Sequence, residues 1–145
     1  MSDETTLRSV SLSRIERGRY EATSVRGGTL RVGHGDEDFT PIELLLAAIA
    51  GCSAIDVDQM TSRRAEPSRF ELSMTGDKVR TETGNHLVNL TLTFDVAFPE
   101  DKGGDDAREM LPRAVQASHD RLCTVSRTVE EGTPITVRIT GAAGE

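Results

Sequence analysis

The stretch from Thr40 to Arg64 constrains the fold of this chain more than any other. From Leu44 to Cys52 it reads Leu-Leu-Leu-Ala-Ala-Ile-Ala-Gly-Cys. A helix that is apolar on every side is expected to be buried on every side. Its start is marked three ways: Thr40 fits the N-cap, Pro41 the first helical position and Glu43 the third. Thr-x-x-Glu is a capping box, in which each side chain satisfies a backbone N–H that the helix start leaves free. Ile55, Val57 and Met60 continue an inner face while Asp56, Asp58 and Arg63 turn polar, so the helix is expected to end near Arg64, before Pro67. The pattern predicts a long central helix threaded through the core. The apolar run is far too short to span a bilayer.

The remaining elements flank this helix along the sequence. Val10 to Ser24 reads as strand interrupted at Gly18, Arg26-Gly27-Gly28 as a turn and Thr29 to Val32 as a returning strand, together an N-terminal hairpin. Gly33 to Asp38 reads as a loop. Phe70 to Met74 and Leu87 to Phe98 alternate apolar and polar residues, which predicts antiparallel strands, with turns at Gly76-Asp77 and Glu82 to Asn85. Pro99 to Asp106 reads as a loop. Ala107 to Leu122 has helical spacing, with Pro112 predicting a late start or a kink. Cys123 to Val129 reads as a shorter helix stopped at Gly132, and Ile135 to Ile139 as a last strand. The order ββ(β)–α–ββ–αα–β is an α+β arrangement. The chain has 145 residues, which fits a single domain over 1–145, with the polar residues 1–6 expected to fray.

Composition narrows the function classes. The net charge is −7, which disfavours nucleic acid or an anionic membrane as partner. The N-terminus lacks a basic region followed by an apolar run, so a secretory signal is not expected and a cytoplasmic location is. In a reducing compartment two cysteines do not make a permanent bridge. No CxxC or HxxxH occurs, and His34, His86 and His119 are scattered, so neither metal nor zinc site is expected. Two cytoplasmic thiols are then either buried packing or redox chemistry.

Cys52 lies mid-helix in the most apolar segment. Burial alone raises a thiol pKa and makes it inert, so a reactive Cys52 needs a cation from elsewhere in the fold. Arg17 and Arg19, on the N-terminal hairpin, are the obvious supply, and they share a face if that stretch is regular strand. Cys123 sits where one helical pattern ends and another begins. A thiol at a helix N-terminus faces partial positive charge, which makes Cys123 the easier thiolate on physical grounds. The two cysteines are far apart in sequence, so only the fold can bring them together.

Two stretches resemble a known family. Thr40-Pro41-Ile42-Glu43-Leu44-Leu45-Leu46-Ala47-Ala48-Ile49-Ala50-Gly51-Cys52-Ser53-Ala54-Ile55-Asp56-Val57 is similar to the central-helix signature of the OsmC/Ohr family (osmotically inducible protein C / organic hydroperoxide resistance). Leu122-Cys123-Thr124-Val125-Ser126-Arg127-Thr128-Val129 resembles its second-cysteine signature. The resemblance implies an α+β OsmC-like fold built as an intertwined homodimer around two central helices. It implies thiol-dependent reduction of organic hydroperoxides, with Cys52 as the attacking thiol and Cys123 as the resolving thiol. Electrons would come from an external dithiol or a lipoylated protein, with no metal or flavin. It also implies an arginine from the N-terminal hairpin beside the thiolate, for which Arg17 matches better and Arg19 is the alternative. Glu43 is the candidate catalytic acid. In the family's well-studied peroxidases that glutamate follows the helix-start proline directly; here Ile42 holds that place and Glu43 is one residue on, about 100° around the helix. A Pro-x-Glu-Leu-Leu-Leu start resembles the OsmC-like branch. The alternative implied there is a thiol protein without efficient peroxidase activity, binding a small apolar ligand or exchanging disulfides.

Overall fold

The computed structural model describes residues 3–141, so residues 1–2 of the segment expected to fray lie outside it. The chain forms an α+β structure with the element order β1 (Val10–Glu16), β2 (Arg19–Ser24), β3 (Thr29–Gly33), α1 (Pro41–Thr61), β4 (Arg69–Thr81), β5 (Gly84–Ala97), α2 (Lys102–Ala117) and α3 (Thr124–Glu131). A π-helical turn, Ser118–Leu122, links α2 to α3. Two compact units can be distinguished, Met1–Ala47 and Ala48–Glu145.

The first unit is an antiparallel meander, β1-β2-β3. The stretch Val10 to Ser24 is two strands rather than one. Glu16 pairs with Arg19, so Arg17 and Gly18 form a two-residue turn, with Gly18 at φ +75°. A Cβ on Gly18 would also meet His34 Cδ2 at 2.6 Å. Arg17 and Arg19 therefore do not share the face of a regular strand: Arg17 is in the turn and Arg19 opens β2. After β3 the chain curls back, and the Gly33 N–H donates to the Phe39 carbonyl at 3.0 Å.

The capping box then starts α1 as its sequence dictates. The Glu43 N–H donates to Thr40 Oγ1 at 3.2 Å, and the Thr40 N–H donates to Glu43 Oε1 at 2.9 Å. The helix ends at Thr61, slightly earlier than expected. Burial on all sides is not what a single chain achieves. One stripe is buried, Ile49, Ser53, Val57 and Thr61 at i, i+4 spacing, while Leu45 and Ile55 remain exposed. Thr61 turns its hydroxyl back onto the Val57 carbonyl at 3.0 Å, which removes its polarity from the core.

In the second unit β4 and β5 form one long hairpin. Leu87 to Phe98 alternates as the sequence predicts, with Leu90, Leu92, Phe94 and Val96 on the half-covered face. Gly76-Asp77 is not a turn. The strand continues through it as a bulge, with a register shift between Thr75 and Asp77. Asn89, at φ +54°, donates from Nδ2 to Asp77 Oδ2 at 2.9 Å, so side chains satisfy what the broken ladder leaves open.

The stretch Pro99 to Asp106 is only partly loop. Asp101 caps α2 by accepting the Gly104 N–H at 2.7 Å, so the helix begins at Lys102 and carries Pro112 in its interior. Asp101 supplies the start that the apolar spacing alone did not reveal. The expected strand Ile135–Ile139 does not form: no described strand pairs with it, and Ile135, Val137 and Ile139 are 89%, 81% and 83% exposed. Among the described residues, neither sheet takes this segment onto its edge. The buried core of the second unit consists of Ile49, Val57, Phe98, Ala107, Ala114 and Cys123. No described helix is long and apolar enough to cross a membrane.

Candidate active site

The fold closes the sequence gap between the two cysteines. Cys52, on α1, and Cys123, at the N-cap of α3, are both free thiols, and they lie close enough to shift each other's titration. They differ in access: Cys123 is 0% exposed, whereas Cys52 is half-buried. The π-helical turn delivers Cys123 to this position. The Cys123 N–H donates to the Ser118 carbonyl at 2.9 Å, and the chain then leaves the turn extended at Cys123 before entering α3.

Both sulfurs meet the first amides of α3. The Val125 amide lies near enough to Cys52 to oppose the rise in its pKa, and the Ser126 N–H donates to Cys123 Sγ at 3.4 Å. A second hydrogen bond, 3.1 Å, joins Cys123 Sγ to Ser126 Oγ. Free amides at a helix start carry partial positive charge and favour an anionic partner. Burial pushes the Cys123 thiol up, but hydrogen bonds from the Ser126 hydroxyl and amide, the Ser53 hydroxyl and Cys52 outweigh it. Cys123 therefore stands below the ordinary thiol value. Burial pushes Cys52 up. The Val125 amide opposes that rise, while contact with Cys123 and the nearby Asp56 carboxylate adds to it. The two titrate as a pair, in which Cys123 is the thiol whose charged form is the better stabilised.

Asp56 lies one helical turn beyond Cys52 and accepts a hydrogen bond from the buried Ser118 hydroxyl at 2.9 Å. A cavity of about 330 Å³, large enough for a small ligand, reaches Ser53 and Ser126 but is lined by neither cysteine. Ile49, Leu92, Phe94 and Val115 give it apolar walls, and Ser53 and Ser126, the two serines that contact Cys123, reach its lining. His119 and Glu130 also line it, their side chains 3.7 Å apart. No three His, Cys, Asp or Glu side chains converge as a metal-ligand set among the described residues.

The other sequence candidates belong to the first unit. Arg19 is engaged by two carboxylates: Nε and Nη2 donate to Asp38 at 2.9 and 3.3 Å, and Nη1 donates to Glu16 at 3.0 Å. Asp38 also accepts the Gly35 N–H at 2.9 Å, and its side chain is only 2% exposed. The Arg19 hydrogen bond holds the Asp38 carboxyl below the ordinary carboxylate range. Arg17 is exposed and makes no side-chain hydrogen bond or ion pair with the described residues. Glu43 spends one carboxylate oxygen on the helix cap, and the Thr40 amide holds its pKa below the usual value.

The Asp38 shift has a definite sign. A carboxylate whose folded pKa is depressed stabilises the fold above its unfolded pKa and loses that contribution as the pH falls through its folded value. Asp38→Asn should therefore lower the Tm at pH 7, and the gap to wild type should close as the pH falls below the carboxylate range. Melting curves against pH check it, and a gap that stays constant down to acid pH would contradict the assigned role of the pair.

Ser53, Ser126, the Val125 amide, Asp56 and Ser118 were not among the sequence candidates. One of them left a trace: Cys123 and Ser126 stand at the i, i+3 spacing of a helix cap and its partner.

The model of the family described as OsmC-like protein matches residues 33–138, which include both thiols and the helix that carries Cys52. The chain belongs to the OsmC-like family. Among curated relatives, Uncharacterized protein Rv2923c of Mycobacterium tuberculosis (strain ATCC 25618 / H37Rv) is 31% identical over 124 residues, covering 83% of this chain and 88% of that protein. Among solved structures, an OsmC-like protein of unknown function from Vibrio cholerae superposes with a TM-score of 0.72 at 11% identity. The match covers 87% of this chain and 95% of that one. The organic hydroperoxide resistance protein OhrB of Bacillus subtilis shares the OsmC-like fold less closely, with a TM-score of 0.52 at 18% identity over 85% of this chain and 90% of that one.

Proposed function

We propose that this OsmC-like protein is a cytoplasmic thiol peroxidase that reduces organic hydroperoxides through Cys52 and Cys123. The observation that carries the reading is the pairing of two free thiols of unequal exposure at the start of α3, beside an apolar cavity. Cys52 is the thiol a substrate can reach. As the peroxide engages, the Cys52 proton passes to the neighbouring Cys123. The Cys52 thiolate attacks the distal peroxide oxygen, the O–O bond breaks, and the alkoxide takes up a proton and leaves as alcohol. Cys52 becomes a sulfenic acid. The Cys123 sulfur then attacks it, water leaves, and a disulfide joins the two residues. An external dithiol or lipoylated protein restores both thiols, with no metal or flavin. The apolar cavity walls suit an alkyl tail better than bare hydrogen peroxide.

The guanidinium that holds the thiolate and polarises the peroxide is assigned to Arg17, brought across the interface of a homodimer. Arg19 is the weaker choice because Asp38 and Glu16 already occupy it. A dimer would also cover what one chain leaves bare, including Ile55 on α1 and the unpaired segment from Ile135 to Ile139. Neither a membrane nor nucleic acid is a partner in this reading. The decisive experiment follows consumption of an organic hydroperoxide by the purified protein with dihydrolipoamide as reductant, alongside its mass by light scattering. Steady turnover by a species of twice the 15.7 kDa chain mass is expected. A protein that turns over no peroxide sinks the peroxidase assignment.

A second reading has its own support. Ile42 stands where a catalytic glutamate is expected, and Glu43 is occupied as a cap. On that reading the thiols exchange disulfides, or the cavity binds a small apolar ligand, and peroxide consumption is slow.

A further inference from the structure

The asymmetry between the two sulfurs carries a consequence for how their disulfide is opened. Cys123 Sγ is walled in completely, and its hydrogen-bond partners, the Ser126 amide and hydroxyl, are themselves buried. Ser53, the other hydroxyl on Cys123, is equally buried. Cys52 is half-buried, the more exposed of the two thiols. We propose that an external thiolate opens the Cys52–Cys123 disulfide by attacking Cys52 Sγ, and that Cys123 departs as a thiolate received by Ser126 at the start of α3. This inference rests on the redox pairing of the two cysteines argued above.

The electron count closes. The donor thiolate forms a bond to Cys52 Sγ, the Cys52–Cys123 bond breaks, and its electron pair leaves with Cys123. The second thiol of a dithiol donor then attacks the donor's own sulfur in the mixed disulfide. The donor becomes a cyclic disulfide, and Cys52 is released as a thiolate that takes up a proton. Two electrons pass from donor to protein. Both physical factors that set the site of attack point the same way. The attacked sulfur must be reachable, and the departing sulfur should be the better stabilised thiolate, because a lower leaving-group pKa speeds exchange. Ser126 is thus a positioning residue for reduction: it acts on the leaving sulfur and not on the donor.

The test needs no peroxide. Diamide oxidises the wild-type protein to the intramolecular disulfide, which is then mixed with excess 2-mercaptoethanol and quenched in acid. Peptide mass spectrometry locates the adduct. Adducts on Cys52 should exceed those on Cys123 by about tenfold or more, and reduction of Ser126→Ala by dithiothreitol should be roughly three- to tenfold slower. Ser126→Thr, which keeps a hydroxyl, should recover the rate, whereas a merely structural loss would not be rescued this way. Adducts predominantly on Cys123, or shared equally, overturn the proposal and leave the redox pair standing. Failure of diamide to form the disulfide overturns the pair and the proposal together. A disulfide formed by diamide but not by an organic peroxide sinks only the peroxidase reading.

Discussion

Cys52→Ser protein should lose organic-peroxide consumption by roughly 10³-fold or more, because no second reachable sulfur can take the first step. The size of the loss follows from the difference between the thiols. Cys123 has the more stabilised charge, but it is 0% exposed and its sulfur faces Ser126 and Cys52. Charge without access does not make a nucleophile for a bulky substrate. Cys123→Ser should behave differently: Cys52 completes one turnover, finds no partner sulfur and passes up the oxidation ladder to sulfinic acid. Single-turnover kinetics and intact mass, read after stoichiometric peroxide, separate the two variants. Wild-type activity in Cys52→Ser would reverse the assignment and make Cys123 the attacking group.

The largest effect on stability is expected far from any thiol. Gly104→Ala should destabilise the protein by about 3 kcal/mol or more, at the upper end of the overpacking range. An ideal Cβ at this position lies 1.7 Å from the Pro99 carbonyl oxygen, and that oxygen is backbone with no rotamer to yield. The N–H of the same residue is the donor that Asp101 uses to cap α2, so moving the backbone to relieve the clash breaks the cap. For a chain of this size the Tm should fall by roughly 10 °C. Gly103 is the natural comparison. Its Cβ would meet the Arg64 carbonyl at 2.6 Å, a tight but less severe approach, so Gly103→Ala should cost less. Thermal melts of both variants decide it, and a Gly104→Ala protein that melts with wild type would show that the start of α2 gives way freely.

These glycines illustrate what could and could not be read from the chain beforehand. Elements announced by chemistry within a few residues were legible. The Thr40–Glu43 box starts α1 where the local pattern puts it, and the alternation from Leu87 to Phe98 gives β5 its faces. Features that depend on a distant partner were not. Gly76-Asp77 carries the residues of a turn, yet β5 runs opposite it and holds it as a bulge. Ile135 to Ile139 has the alternation of a strand, but pattern alone supplies no edge to pair with. The same division runs through the site. Cys123 at a helix start was a local inference, and the amide of Ser126 bears it out. That Cys52 would reach the same helix start is a product of packing between α1 and α3. The commitment of Arg19 to Asp38, nineteen positions away, left no mark in the residues around either.

The π-helical turn at Ser118–Leu122 sets one further condition on this molecule. A π turn spends one residue more per hydrogen-bonded loop than an α turn does. That extra residue determines the phase at which α3 sets out, and so which of its first amides face the sulfurs. Removing a single residue between Ser118 and Leu122 would rotate the following helix by about 100° and carry the amides of Val125 and Ser126 away from the thiols. For this chain the length of the segment therefore matters more than its letters, apart from Ser118, the serine that meets Asp56.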